Sequence, residues 1–135
     1  MFNHVVIGVA LDHAEMVAGK LELARKVMAP GGRITLLTVL EDVPGFVAEF
    51  VDDKGENHLT AKANAKLTEI AGGDEAISTA VAKGKPGVQI PIYADQKGAD
   101  LIVVGSHHPT ATDYFLGSTA SRIARRAHCA VLINR

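Results

Sequence analysis

Tryptophan is absent from this 135-residue chain, and four Phe and two Tyr supply all of its aromatic rings. Platforms for stacking nucleic-acid bases therefore have little to be built from. Charge of one sign is missing too. Lys and Arg number 14 against 15 Asp and Glu, a net charge of −1. A nucleic-acid surface draws on a basic excess, so neither DNA nor RNA is an expected partner. Cys129 is the only cysteine, which excludes an intrachain disulfide. Set in the apolar run CAVLI, it reads as an inert buried thiol. No apolar run approaches the roughly 18–20 residues of a membrane span, so no membrane partner is expected. The opening MFNHVVIGVA has no basic n-region and no small-residue cleavage site. It reads as a strand rather than a secretion signal, and a cytoplasmic location is the expectation.

What is present is an alternation of apolar strands and amphipathic helices. Hydrophobic residues make up 47% of the chain, enough for the core of one domain over residues 1–135. His4–Ala10 is a near-continuous apolar run and reads as a buried strand. Ala14, Val17, Ala18, Leu21 and Met28 recur at helical spacing and predict a helix over 13–28, stopped by Pro30-Gly31-Gly32. Arg33–Leu40 is a second strand. Residues 41–57, with Pro44, Gly45 and Gly55, read as a long, partly ordered connection. Leu59, Ala63, Leu67 and Ile70 stripe a second helix closed by Gly72-Gly73. Ala76–Ala82 alternates as a strand near a sheet edge does. Pro86 suits the first turn of a third helix over 86–97, which Pro91 should bend or deprive of a hydrogen bond. Asp100–Gly105 is strand four. Helix four, 117–127, places Ala120, Ile123, Ala124 and Ala127 on one face and leaves Arg122, Arg125 and Arg126 solvated. Cys129–Asn134 is strand five. The order predicts an α/β fold, an open five-stranded parallel sheet with helices on both faces. The short apolar last strand, if it lies at an edge, is an association surface and points to a homodimer.

One stretch carries more chemistry than the rest. Strand four ends on Gly105, a polar loop follows, and Gly117-Ser118-Thr119 opens a helix. Strand ends in such a sheet form a crevice, and a helix start offers unpaired N–H groups to an anion. Gly105 reads both as a turn glycine and as a close approach to phosphate. Gly117 and Ser118 read both as helix caps and, with Thr119, as donors to phosphate oxygens. Asp12 reads as an N-cap or as a ligand contact. His107 and His108 lack a further ligand at metal-binding spacing, so no metal site is expected. They read as solvated loop residues or as donors to a phosphate or ribose, a contact that strengthens at mildly acidic pH. Asp113 and Tyr114 share their loop, which would order on binding.

The chain resembles the universal stress protein family over nearly its whole length. The resemblance rests on the first strand running into Ala10-Leu11-Asp12, on Gly84-Lys85-Pro86 followed by GADLIVVGS, and on LGSTASRIARRAHCAVLI. The family's ATP-binding pattern is Gly, two residues, Gly, nine residues, Gly, then Ser or Thr. Gly105 matches its first glycine, and Gly117-Ser118 matches its closing pair. His108 replaces the second glycine, and the closing glycine comes one residue early. The form GSHHPTATDYFLGS is similar to the variant loop of the branch with Pro after the divergent position. The resemblance implies an adenine-nucleotide site, holding ATP with or without Mg²⁺, formed by Ala10, Asp12, Val39, Gly105, Ser106, His107, His108, Gly117, Ser118 and Thr119. In it, Asp12 and the Ala10 backbone lie near ribose and adenine, and the Val39 backbone reads the adenine edge.

Three functions from different classes follow. The first is a stress-response module that binds nucleotide as a switch, with at most slow hydrolysis, because no nucleophile or general base accompanies the phosphate site. The second is the same fold working without nucleotide as a dimeric interaction module. The third is an enzyme on a related fold. It is disfavoured because ALDHAEM replaces the Ser/Gly-rich loop of nucleotide-activating enzymes, VAKGKP carries no phosphoacceptor acid, and G-x-G-x-x-G is absent after strand one.

Overall fold

A computed structural model describes residues 1–41, 53–106 and 116–135. Five parallel strands form one sheet: β1 (Phe2–Gly8), β2 (Met28–Leu40), β3 (Ile77–Lys83), β4 (Leu101–Gly105) and β5 (Ala130–Asn134). Their order is β3-β2-β1-β4-β5, so the chain winds outward one way from β1 and then crosses back to wind the other way. The helices are α1 (Val17–Val27), α2 (Asp53–Ala71), α3 (Pro86–Gln96) and α4 (Ser118–Arg126).

The period-2 alternation of a strand divides the core in two. Val5, Ile7, Ile34, Leu36, Leu101 and Val103 pack with Val17, Leu21 and Ala24 of α1 and Leu67 of α2. Val6, Leu37, Ile102 and Val104 pack on the other face with Ile90 and Ala94 of α3 and Ala120 and Ile123 of α4. Val5, Val6 and Ile7 are each 0% exposed. That two-sided burial is why β1 reads as an unbroken apolar run rather than an alternating one.

Several expectations are corrected. The predicted first helix is a 3-10 segment, Leu11–Met16, followed by α1. His13 (φ −128°, ψ 42°) lies outside helical space and interrupts it. Ala18 is exposed, and Lys20 takes its place in the buried face with Val17, Leu21 and Ala24. Helix α1 ends at Val27, before Pro30, and Pro30-Gly31-Gly32 belongs to β2. There it forms a bulge: Phe2 pairs with Met28 and His4 with Arg33, so two steps along β1 match five along β2. Gly31 sits at φ +78°. Helix α2 begins at Asp53, inside the stretch read as a connection, of which 42–52 lies outside the described residues. Helix α3 has the expected extent, with Pro91 inside it and buried. Ala124 is exposed, as are Arg122, Arg125 and Arg126. Cys129 is half-buried against the second core cluster, and burial pushes its thiol up.

Polar groups also fix the registry of the central strands. The Asp100 carboxylate accepts the amides of Asn3 and His4, both at 2.9 Å, while the Asp100 N–H donates to the His4 carbonyl at 3.1 Å. Burial alone would raise this carboxyl, but the amide donors outweigh it and hold the group below its usual range. His4 is itself buried, with Nε2 2.8 Å from Thr35 Oγ1, which lies 3.0 Å from Ser78 Oγ. Ser78 donates to the Ile34 carbonyl, an acceptor only, at 3.5 Å. The chain therefore runs from His4 Nε2–H through Thr35 to Ser78, and among the described residues the buried Nδ1 makes no bond that meets hydrogen-bond geometry.

Two stability predictions follow. A Cβ on Gly32 would lie 2.6 Å from Met28 Cγ and 2.9 Å from the Ala29 carbonyl oxygen. Gly32→Ala is expected to destabilise the fold by about 1–3 kcal/mol in urea unfolding. His4 has its pKa lowered by burial and, secondarily, by Arg33. The unfolded chain then takes up this proton first. The stability due to neutral His4 is full above its ordinary value of 6.5 and is lost as pH falls below it. The difference in unfolding free energy between the wild type and His4→Gln should shrink between neutral pH and pH ~5.

Candidate functional site: the crevice at the end of the central strand

Strand β1 is the central strand, and it stops short. Its last registered partners are Leu37 on β2, opposite Gly8, and Val103 on β4, opposite Ile7. Strand β2 continues to Leu40 and β4 to Gly105. The gap between them is a cavity of about 650 Å³, bordered by Gly8 to His13, Thr38 to Glu41, Val104, Gly105, Thr119, Asn134 and Arg135, with Lys20, Pro86 and Ile90 among its other walls. It lies at the carboxyl ends of the strands where the winding reverses, the position at which open α/β sheets bind ligands.

Backbone direction prepares the gap. The Leu37 carbonyl points at β1, where it accepts Val9 N–H at 2.8 Å. Alternation along the strand turns the N–H and carbonyl of Val39 the same way, into the space β1 has vacated. Across the gap, Ser106 N–H donates toward β5, to the Asn134 carbonyl at 3.3 Å. The polar groups of Gly105 therefore face back toward β1.

The departing end of β1 would present a row of carbonyl oxygens that repel an anion. Each has a donor. The Gly8 carbonyl accepts Lys20 Nζ at 3.1 Å, the Val9 carbonyl accepts Thr38 Oγ1 at 2.8 Å, and the Ala10 carbonyl accepts His13 N–H at 2.9 Å. Lys20 is the unusual member. It is 8% exposed, and burial lowers its pKa. Gly105 makes room for it, since a Cβ there would lie 3.3 Å from Lys20 Cε and 3.4 Å from Nζ.

Of the ten residues expected at the site, Ala10, Asp12, Val39, Gly105 and Thr119 border the cavity. Ser106 is buried beside it, bonded to β5. Gly117 is the N-cap of α4 with ordinary φ (−54°), so its backbone does not demand glycine, and Ser118 is exposed in the first turn. Neither lines the cavity. His107, His108, Asp113 and Tyr114 lie outside the described residues. Asp12 is no helix cap: it falls within the 3-10 segment, Met16 takes the N-cap position of α1, and the Asp12 side chain is 82% exposed, 3.7 Å from His13. Lys20, Thr38, Ile90 and Asn134 were missed. Among the described residues no three His, Cys, Asp or Glu side chains gather as a metal site requires. No described helix is long and apolar enough to cross a membrane.

A doubly wound parallel sheet with a crevice at its switch point defines a broad class of ligand-binding α/β proteins. Within that class the chain belongs to the universal stress protein family, whose model matches residues 1–135. It is 35% identical over 88 residues to universal stress protein MJ0531 of Methanocaldococcus jannaschii, covering 64% of this chain but 49% of that protein, about half its length. It is 28% identical to universal stress protein G of Salmonella typhimurium over the full length of both. Among solved structures, the hypothetical protein MJ0577 superposes with a TM-score of 0.77 at 22% identity, covering 98% of this chain and 95% of that one. A universal stress protein crystallised in complex with cAMP superposes with a TM-score of 0.63 at 23% identity, covering 99% and 97%. At these identities the two structures establish the shared fold.

Proposed function

We propose that the crevice binds an adenine nucleotide, ATP with or without Mg²⁺, and that the protein is a stress-response module switched by occupancy rather than a catalyst. The observation that carries the reading is the early end of β1. It leaves the polar backbone of Val39 on one side, suited to a base edge, and that of Gly105 on the other, with Thr119 at the start of α4 facing the same cavity. The fold relative crystallised with cAMP supports the ligand class. A switch rather than a catalyst is the reading that the rim acids support: Asp12 and Glu41 are exposed, and among the described residues Asp12 pairs with His13 rather than with a nucleophile. The lone thiol suits a cytoplasmic setting.

In this reading two copies pair through β5. That strand closes one edge of the sheet, and Val131 to Asn134 are half-buried, apolar but for the last. Asn134 bonds toward β4, so by alternation Val131 and Ile133 turn their N–H groups to the open edge.

Three outcomes are expected. Denaturing the purified protein should release adenine nucleotide detectable by mass spectrometry, or ATP should titrate with micromolar affinity by calorimetry. Thr119→Trp, at an exposed position on the cavity rim, should fold normally and weaken ATP about 10-fold or more; unchanged affinity would place the ligand elsewhere. Val131→Pro removes an outward N–H rather than one bonded to β4 and should convert a dimer to a monomer in sedimentation equilibrium, with unchanged circular dichroism showing that the fold survives. A dimer that survives it does not use this edge.

A further inference from the structure

Lys20 is nine-tenths buried, yet it has a single acceptor among the described residues, the Gly8 carbonyl. An ammonium carries three donors, so two are left unmatched. No ion pair among the described residues includes it. Burying a charge without a counter-charge is costly, and a side chain held so needs a reason beyond packing. A methionine would fill the same slot between Val17 and Leu21 without the penalty. The Nζ is also placed for a ligand. Lys20 borders the cavity beside Gly105, where an added Cβ would lie 3.4 Å from Nζ.

We propose that Lys20 is the charge partner of the ligand's phosphate, so that the crevice selects phosphorylated nucleosides over bare ones. The proposal rests on the nucleotide reading of the site and names the residue that would enforce its anion requirement. Helix α1 and helix α4 cover opposite faces of the sheet. Lys20 and Thr119 therefore approach the cavity from opposite layers, with Gly105 between them. A phosphate above Gly105 would meet a point charge on one side and helix-start N–H groups on the other. The other charged or titratable groups facing the cavity are Asp12, His13, Glu41 and Arg135. Asp12 and His13 engage each other at the rim. Burial lowers the Lys20 pKa and a phosphate beside the amine would raise it, so binding at alkaline pH should take up a proton.

The test is titration calorimetry of the wild type and Lys20→Met with ATP and with adenosine, in two buffers of different ionisation enthalpy. Lys20→Met removes an uncompensated charge and should melt no lower than the wild type, so folding does not obscure the result. ATP should weaken roughly 10- to 100-fold in the variant with adenosine unchanged, and the alkaline proton uptake should vanish. ATP affinity within about twofold of wild type, or an equal loss for adenosine, overturns the proposal. If the wild type binds neither ligand, the nucleotide reading fails, and inorganic tripolyphosphate decides the role of Lys20 separately. Binding by the wild type that Lys20→Met abolishes upholds an anion site at Lys20. No binding, or equal binding, refutes it.

Discussion

Everything at the functional end of this molecule follows from one mismatch of length. Strand β1 lies at the centre of the sheet, buried on both faces, and gives out at Gly8 while its neighbours run on to Leu40 and Gly105. A central strand that stops early leaves two backbones facing each other with nothing between them. Unmatched peptide groups in a crevice bind water or ligand. The structure also silences the groups that would spoil the gap for an anion, giving the carbonyls of Gly8, Val9 and Ala10 donors from Lys20, Thr38 and His13. The far end of β1 is held with equal care, by Asp100 on one side and the His4–Thr35–Ser78 chain on the other. A strand pinned at one end and released at the other sets both the sheet's registry and the place of its cavity.

Much of this was legible because the signals are local. VVIGV and LIVVG have no polar alternation, so they had to be covered on both faces, and the helical stretches between strands implied parallel crossovers. Gly105 was legible as a strand-end glycine and Thr119 as a helix start. What failed to show was tertiary. Lysine is normally a surface residue, and Ala18 looked the better core candidate. Yet Lys20 stands three residues after Val17 and four before Ala24, within the buried stripe. That spacing was the available signal, overridden by residue type. Pro30-Gly31-Gly32 looked like a helix stop because Pro and Gly break helices; a bulge uses the same residues, and only pairing with β1 distinguishes the two. Gly117 and Ser118 were read as a helix start and by motif position; of that start, Thr119 is the residue that lines the cavity.

The family relationship and the geometry of the crevice bear on different levels. Membership fixes the fold and the class of protein. It leaves open which ligand each member takes, because the phosphate-loop pattern departs from the family form at His108 and in its length. The crevice itself speaks to chemistry: base-sized space, two strand backbones, one helix start and a buried amine.

The most direct test of this account is an amide-shift titration by NMR, adding ATP to uniformly labelled protein. The account predicts saturable shifts at Ala10, Asp12, Val39, Gly105 and Thr119, the residues around the gap left by β1, with Lys20 moving alongside them. Shifts gathered instead at the β5 edge or at the Asp100 end of the sheet, or none at saturating ATP, would contradict it.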